Sequence, residues 1–154
     1  AARVTAADIS AEAIAMAKRN AERNGLDRRM DFLAADVFDL LPELEKNGKK
    51  PYDFIILDPP AFTKSRDTIG SAVKGYKAIN AKAMKLLPRG GYLATCSCSH
   101  FMTDELFRKM LHNAAEDAGV QLRQIEARQQ APDHPILWNV PETDYLKFYI
   151  FQIV

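Results

Sequence analysis

Residues 52–62 read Tyr-Asp-Phe-Ile-Ile-Leu-Asp-Pro-Pro-Ala-Phe and carry the strongest fold signal in the sequence. Four apolar residues in a row predict a buried strand over residues 52–57. The strand ends at Asp58, and Pro59 and Pro60 then fix the path of the chain and leave backbone carbonyls unpaired. The pattern predicts a core strand that brings polar groups to one edge of a sheet.

A short strand followed by an acid occurs twice more, nearer the start of the chain. Residues 3–8 form one such strand and end at Asp8, and residues 30–35 form another that precedes Asp36. A helix is predicted after each of them, and such alternation favours an α/β fold with a parallel sheet and helices on both faces. The further predictions are helices between Ser10 and Asn24 and over residues 37–45, 76–87 and 103–118, strands over residues 92–98, 120–128 and 145–154, and a polar, mobile segment over residues 65–75.

The last two predicted strands follow each other without a helix between them. A parallel neighbour would need a long crossover connection, so we expect the closing strand to be antiparallel. The chain has 154 residues, which suits one domain with one core. The sequence therefore predicts a mostly parallel sheet with an antiparallel last strand.

Composition and charge exclude membrane-spanning proteins but few other classes. Hydrophobic residues make up 47% of the chain and charged residues 27%, which is ordinary for a soluble globular domain. No apolar run approaches the length that crosses a bilayer, and the first residues do not form a secretory signal. A net charge of +1 neither requires nor excludes a nucleic-acid partner. Cys96 and Cys98 are too close for a good disulfide, which fits a reducing cytoplasm.

The three acids that follow successive strands are candidate ligand-binding residues. Ligands of open α/β sheets bind beyond the carboxyl ends of the strands, where all three acids would lie. An acid after the second strand of a nucleotide-binding sheet can accept hydrogen bonds from both ribose hydroxyls. Asp36 could accept a hydrogen bond from an adenine amino group. Aspartate is also common in turns and at helix N-caps, and this alternative stays open for each acid taken alone.

A thiol at the end of a strand is a candidate nucleophile. Residues 95–99, Thr-Cys-Ser-Cys-Ser, end the predicted fourth strand at its carboxyl end. A thiolate there can add to an electron-poor ring carbon, although a free cysteine taken alone is more often an inert core residue. Cys96, Cys98 and His100 alternate as metal ligands on one face would. No fourth ligand has a suitable spacing, and we predict no metal site.

Several residues could contact a nucleic acid. Phe62 could pack on a flat base, or it could belong to a rigid turn after a core strand. His134, in a late loop, could be catalytic or could hydrogen-bond RNA, or it could be held by its own backbone contacts. The basic side chains around the polar segment could contact phosphates or face water; they are Lys64, Arg66, Lys74 and Lys77.

Taken together, these motifs resemble the bacterial 23S ribosomal RNA large subunit methyltransferase I family, whose members make 5-methylcytosine. The matching elements are Val4 to Asp8, Asp58-Pro-Pro-Ala-Phe62, Gly75-Tyr-Lys-Ala-Ile-Asn80, Ser97-Cys-Ser99 and Ala131-Pro-Asp-His-Pro135. The Asp-Pro-Pro element alone is shared with many methyltransferases, and the strand-end cysteine makes the match much more specific. The resemblance implies a Rossmann-like class I methyltransferase catalytic domain over residues 1–154, with S-adenosylmethionine as cofactor.

The resemblance also implies a role for each candidate residue. Asp8 would hold the cofactor ribose, and Asp36 would meet the adenine. Asp58 would line the joint cofactor and base site and bind the edge of the cytosine ring. Cys98, seven residues after Gly91 as in such enzymes, would be the nucleophile. The other implied contacts are Ile9, Ser10 and Val37 for the cofactor, and Pro59, Pro60, Phe62 and His134 for the substrate.

The implied setting is a cytoplasmic enzyme that acts on 23S ribosomal RNA, with a homodimer as a candidate assembly. The family's first strand and glycine-rich loop, and an RNA-binding domain of the PUA type, would precede Ala1. The chain lacks an initiator Met and enters a strand at once, so we expect it to be a piece of a longer protein. Many RNA cytosine methyltransferases carry a second cysteine where this chain has Ala61, so the base that removes the ring proton is unassigned.

Two rival functions stay open. Related enzymes that methylate a guanine nitrogen share the Asp-Pro-Pro-x-Phe element but need no thiol, and they tend to carry an amide where this chain has Cys98. The other rival is a methyltransferase-like module that binds RNA or a partner without chemistry. The position of Cys98 favours the cytosine enzyme over both.

Overall fold

The computed structural model describes residues 1–48, 50–63 and 65–154, apart from the side chain of Arg66. The strands are β1 (Val4–Asp8), β2 (Met30–Ala34), β3 (Phe54–Leu57), β4 (Tyr92–Ser97), β5 (Leu122–Arg128) and β6 (Lys147–Ile153). The helices are α1 (Ala11–Arg23), α2 (Val37–Lys46), α3 (Ile69–Leu86) and α4 (Asp104–Ala118). None of the helices in these ranges is long and apolar enough to cross a membrane. Lys64 and the Arg66 side chain, both predicted phosphate contacts, lie outside the described residues.

The chain divides into two compact units, residues 1–47 and 48–154. In the first unit, β1 and β2 pair in parallel, with Asp8 opposite Ala34. Helix α1 packs against both strands. The Ser10 hydroxyl accepts a hydrogen bond from the Ala13 amide at 3.2 Å and so caps the start of α1, as predicted. The strand–acid–helix pattern expected from the sequence is confirmed in this unit.

The second unit contains a four-stranded sheet in the order β3-β4-β6-β5. Strands β3 and β4 are parallel, with Leu57 opposite Thr95. Strand β6 is antiparallel to both of its neighbours, β4 and β5. The prediction of an antiparallel closing strand is confirmed. The pairing also places the carboxyl ends of β3 and β4 side by side, where Asp58 and Cys98 follow.

Aromatic side chains join the elements of the second unit into one core. Helices α3 and α4 pack against each other, and Tyr76 and Phe107 are fully buried between the elements. The Tyr76 and Phe107 rings meet edge-on with centroids 6.0 Å apart, and Phe107 lies 6.2 Å from the ring of Tyr149 on β6. Burying each such ring contributes about 1.5–3 kcal/mol, so this core fixes the helices over the sheet.

The prediction of a mobile segment over residues 65–75 is wrong for its larger part, because α3 begins at Ile69. Ala72 and Tyr76 follow at helical spacing and are 2% and 0% exposed. Two glycines among the first seven residues of α3 hide this periodicity in the sequence. The strands β3, β5 and β6 each begin two residues later than predicted, which is within the usual uncertainty of strand ends.

Candidate active site

Asp8 and Asp36 lie together at the carboxyl end of the two-stranded sheet, which we call the acid edge. Asp8 ends β1, its backbone carbonyl accepts the Ala35 amide at 2.9 Å, and Asp36 is the next residue along the chain. The structure therefore brings together two of the three predicted acids. Asp58 belongs to the other unit, and its meeting with these two acids stays a prediction.

Each carboxylate of the acid edge is oriented by the backbone of its own loop. One oxygen of Asp8 accepts the Ser10 amide at 2.7 Å, and one oxygen of Asp36 accepts the Phe38 amide at 2.8 Å. The second bond makes Asp36 the N-cap of α2. Within the described ranges, the second oxygen of each carboxylate accepts no hydrogen bond. The turn-and-cap interpretation is thus correct, and it still leaves one oxygen of each acid for a ligand.

Apolar surface accompanies the acid edge. Ile9, directly after Asp8, is 73% exposed, which is high for an isoleucine in a folded unit. Val37, directly after Asp36, is half-buried. The Ser10 hydroxyl is already used to cap α1. Of the two neighbours Ile9 and Ser10, Ile9 therefore has the side chain that a ligand could cover.

Asp58 follows β3 and is held by a side chain of the neighbouring strand. The thiol of Cys96 on β4 lies 3.1 Å from an Asp58 carboxylate oxygen and 3.4 Å from the Leu57 carbonyl. Burial, and then the negative charge of Asp58, raise the pKa of the Cys96 thiol to about 12. The thiol therefore stays protonated and donates its hydrogen to Asp58. We call Asp58, Cys96 and Cys98 the thiol edge.

The hydrogen bond from Cys96 to Asp58 is a contact that the sequence analysis did not predict. Cys96 is 7% exposed and thus lies in the core, where a free cysteine is most often found. The signal that could have found the contact is the pairing of β3 with β4. In a parallel pair, residues at the two carboxyl ends are neighbours, although they are far apart in sequence.

Cys98 is exposed, while the serines on either side of it are buried. The Ser97 hydroxyl donates to the Tyr76 hydroxyl at 3.1 Å, and the Ser99 hydroxyl donates to the Thr63 carbonyl at 3.3 Å. Both bonds anchor the backbone that carries Cys98 and leave its thiol facing outward. An inert core cysteine is excluded at this position, because the side chain is not in the core.

The side chains near the thiol edge that could bind a metal are Cys96, Cys98 and His100. Over the part of the chain that the structure describes, no three His, Cys, Asp or Glu side chains form a metal-binding group. His100 is exposed, and its ring contacts Phe101.

The Asp-Pro-Pro-Ala-Phe element is tied to the same edge through Tyr76. The Tyr76 hydroxyl donates to the Pro60 carbonyl at 3.3 Å, and its ring lies 4.6 Å from the half-buried Phe62 ring. Pro59 is half-buried and Pro60 exposed. The Pro60 carbonyl is therefore partnered, contrary to the expectation of an unpaired carbonyl. The sequence analysis did not identify Tyr76 as a residue of this site. Its contacts with Pro60 and Ser97 depend on how α3 packs, which the sequence does not show.

His134 lies in the loop between β5 and β6. Its Nδ1 lies 3.0 Å from the Tyr145 hydroxyl, and its backbone amide donates to the Ala131 carbonyl at 2.9 Å. Both contacts lie within the same loop, as the alternative of a histidine held by its own loop predicts. The residue is exposed, so a substrate contact stays a prediction.

Comparison with known proteins shows the family to which this chain belongs. A family model described as a methyltransferase domain matches residues 1–143, and the chain belongs to that family. The resemblance inferred from the motifs is confirmed. The chain is 43% identical over 152 residues to the Ribosomal RNA large subunit methyltransferase I of Klebsiella pneumoniae (strain 342), and 42% identical to that of Enterobacter sp. (strain 638). Each match covers 98% of this chain and 38% of the relative.

Solved structures show the same fold. A protein from Streptococcus mutans assigned as a SAM-dependent methyltransferase superposes with a TM-score of 0.83 at 22% identity, covering 99% of this chain and 39% of that one. An O-methyltransferase from Bacillus cereus, solved in complex with SAH, superposes with a TM-score of 0.59 at 17% identity, covering 99% and 62%. The predicted Rossmann-like methyltransferase fold is confirmed. The chain spans about two fifths of the length of the curated relatives it matches.

Proposed function

We propose that this chain is the catalytic part of an S-adenosylmethionine-dependent enzyme that methylates carbon 5 of a cytosine in 23S ribosomal RNA. The observation that carries the proposal is the exposed Cys98, anchored between two buried serines where β4 ends next to β3. The similarity to Ribosomal RNA large subunit methyltransferase I supports ribosomal RNA as the substrate. An exposed, anchored thiol at this position supports cytosine as the base.

The acid edge fits the nucleoside part of S-adenosylmethionine. Asp8 would bind the ribose hydroxyls and Asp36 the adenine amino group through the carboxylate oxygens that have no partner in the described chain. Ile9, which is 73% exposed, would be covered by the ligand, with Ser10 and Val37 beside it. When bound, S-adenosylmethionine supplies an electrophilic methyl group.

Cys98 would activate the cytosine by covalent addition. The thiolate attacks carbon 6, the carbon 5–carbon 6 double bond opens, and its electrons give carbon 5 the nucleophilic character that it lacks in the free base. After methylation, a base removes the proton from carbon 5, the double bond forms again, and the thiolate leaves. The thiolate is thus regenerated, and no oxidant or reductant is needed.

Asp58 would bind the cytosine edge and line the cofactor. The cytosine amino group donates hydrogen bonds, and a carboxylate accepts them. Cys96 already donates to one oxygen of Asp58, which leaves the other for the base. Pro59, Pro60, Phe62 and His134 would shape the substrate site around it. Ribosomal RNA as substrate and two free cysteines fit the cytoplasm, and a homodimer remains a candidate assembly.

The proposal is tested by mass spectrometry of nucleosides from ribosomal RNA after incubation with the full-length protein. The wild type should produce 5-methylcytidine, and Cys98→Ala should reduce it by about 10³-fold or more, because carbon 5 is then not activated. His100→Ala, an exposed change in the same loop, is the matched control and should keep the activity. Methylguanosine as the product, undiminished in Cys98→Ala, would instead establish the guanine enzyme, and no methylated nucleoside at all would favour a binding module.

A further inference from the structure

Lys147, the first residue of β6, is a buried cation that the proposed chemistry does not yet use. It is 8% exposed, and a buried ammonium group is costly unless it is compensated. Its Nζ atom donates to the Ser99 carbonyl and to the Tyr145 carbonyl, both at 2.7 Å. Both partners are neutral, so these bonds satisfy hydrogens of the ammonium without balancing its charge.

The position of Lys147 is set by the pairing of β6 with β4. Lys147 lies opposite Ser97, and its side chain extends past the end of β4 to the carbonyl of Ser99. The amine is therefore bonded to the residue directly after Cys98, while its backbone lies beside the residue directly before. The two strands thus place the amine of Lys147 one residue away from Cys98 along β4 and the loop that follows it.

Other charged groups near Lys147 are already engaged. Burial lowers the pKa of Lys147, and the nearby side chains of Cys98, Asp144 and Asp104 oppose this. Asp104 accepts the Tyr149 hydroxyl, and Asp144 accepts the Gln129 amide at 3.2 Å.

The carboxylate of Asp58 at the thiol edge is also engaged, because it accepts the Cys96 thiol at 3.1 Å. The two other titratable groups that interact with Cys98 are neutral near pH 7. They are Tyr76 on α3 and Cys96 on β4, and burial raises the pKa of both. A thiolate at Cys98 is therefore the anion that Lys147 is best placed to balance.

We propose that Lys147 is a positioning residue that stabilises the thiolate of Cys98 by its charge and holds the Ser99 carbonyl so that the thiol stays at the end of β4. The proposal rests on the proposed role of Cys98 as nucleophile. It predicts that the reactivity of Cys98 depends on the positive charge at position 147 and not only on the packing there. Lys147 itself does not contact the reacting carbon.

The test measures how fast iodoacetamide alkylates Cys98 in the full-length protein, with tandem mass spectrometry to separate Cys98 from Cys96. Lys147→Met should slow alkylation at pH 7 by about 10-fold or more and move its pH profile to higher pH, because an opposite charge at close range favours the thiolate. Lys147→Arg keeps the charge and should stay within about 3-fold of the wild type. Lys109→Met removes an exposed lysine of α4 and should change nothing.

Equal alkylation rates in the wild type and in folded Lys147→Met would overturn the proposal. If Lys147→Met does not fold, Lys147→Gln, which is neutral but keeps an amide donor, takes its place with the same expected loss. The alkylation result does not depend on methylation. An active Cys98→Ala enzyme would therefore end the proposed function, whereas unchanged alkylation in Lys147→Met would end the role of Lys147 alone.

Discussion

The acid edge and the thiol edge hold their carboxylates in different ways. Asp8 and Asp36 are each oriented by the backbone amide two residues further along the chain, whereas Asp58 is oriented by the thiol of Cys96 from the neighbouring strand. At the acid edge, the pairing of β1 with β2 brings the two acids together, and local turns that also start helices orient each carboxylate. The thiol edge is built from the pairing of β3 with β4, and it forms only when the sheet forms. The orientation of Asp8 and Asp36 therefore depends on their own loops, while that of Asp58 depends on the contact between two strands.

Among the substitutions that test the difference between the two edges, we expect the largest effect, a loss of cofactor affinity, at Asp8. Asp8→Ala removes the carboxylate oxygen that we assign to the ribose, and charge-assisted hydrogen bonds of this kind contribute about 1.5–3 kcal/mol. The affinity of the full-length protein for S-adenosylmethionine should fall by about 10- to 100-fold. Calorimetric titration measures it, and Asp39→Ala, an exposed acid on α2, serves as the control. Unchanged affinity in Asp8→Ala would remove Asp8 from the cofactor site.

We expect a smaller effect on the pH dependence of the free energy of unfolding. It tests whether the Cys96 thiol at the thiol edge is buried and protonated. The pKa of the Cys96 thiol is raised from 9.0 to about 12 in the folded chain, so the thiol stabilises the fold fully below about pH 9. This contribution is lost as the pH rises towards 12, because the unfolded chain releases the proton first. At pH 10.5 the loss should reach about 2 kcal/mol.

Cys96→Ser is the matched variant for this measurement, because a serine hydroxyl can donate to Asp58 but does not ionise in this range. Chemical unfolding of wild type and variant between pH 7 and pH 10.5 should show the extra loss in the wild type alone. The ionisation of Tyr76 and Tyr149, whose pKa values are also raised, affects both proteins equally. Parallel curves for the two proteins would contradict the raised pKa of the buried Cys96 thiol.

The smallest effect concerns Asp36, which caps α2 in addition to its proposed contact with adenine. Asp36→Ala should cost about 1 kcal/mol of stability, because the Phe38 amide loses its acceptor. Asp36→Asn should cost almost nothing, since asparagine caps equally well. Thermal unfolding of the two variants separates them. Equal losses would mean that the charge, and not the cap, carries the contribution of this residue.

The sequence predicts the surroundings of each acid at the acid edge well, because the strand, the acid and the helix that follows are determined locally. Apolar runs, acids and caps such as Ser10 lie within a few residues of one another, and each pattern can be interpreted without knowledge of the sheet. The same holds for Thr103, whose hydroxyl accepts the Leu106 amide at 3.3 Å at the predicted start of α4. Helix α3 is the exception, since its glycines weaken the local signal that its buried face confirms.

The contacts of the thiol edge could not be predicted in the same way. The bond of Cys96 to Asp58 spans 38 residues, and that of Lys147 to Ser99 spans 48. Both depend on strand order and register, which periodicity along one strand does not reveal. A lysine at the start of a strand would ordinarily be assigned to the surface, and only the antiparallel pairing with β4 shows that Lys147 is buried.

The most direct test of the account is a covalent trap at Cys98. Fluorine at carbon 5 of the target cytosine replaces the hydrogen whose removal lets the thiolate leave, so the adduct should persist after methylation. The full-length wild type, incubated with S-adenosylmethionine and ribosomal RNA that contains 5-fluorocytosine, should give a protein–RNA band that survives denaturation, and Cys98→Ala should give none. A wild-type enzyme that methylates unmodified RNA but forms no such band, or a band that persists in Cys98→Ala, would contradict the assignment of Cys98 as the nucleophile.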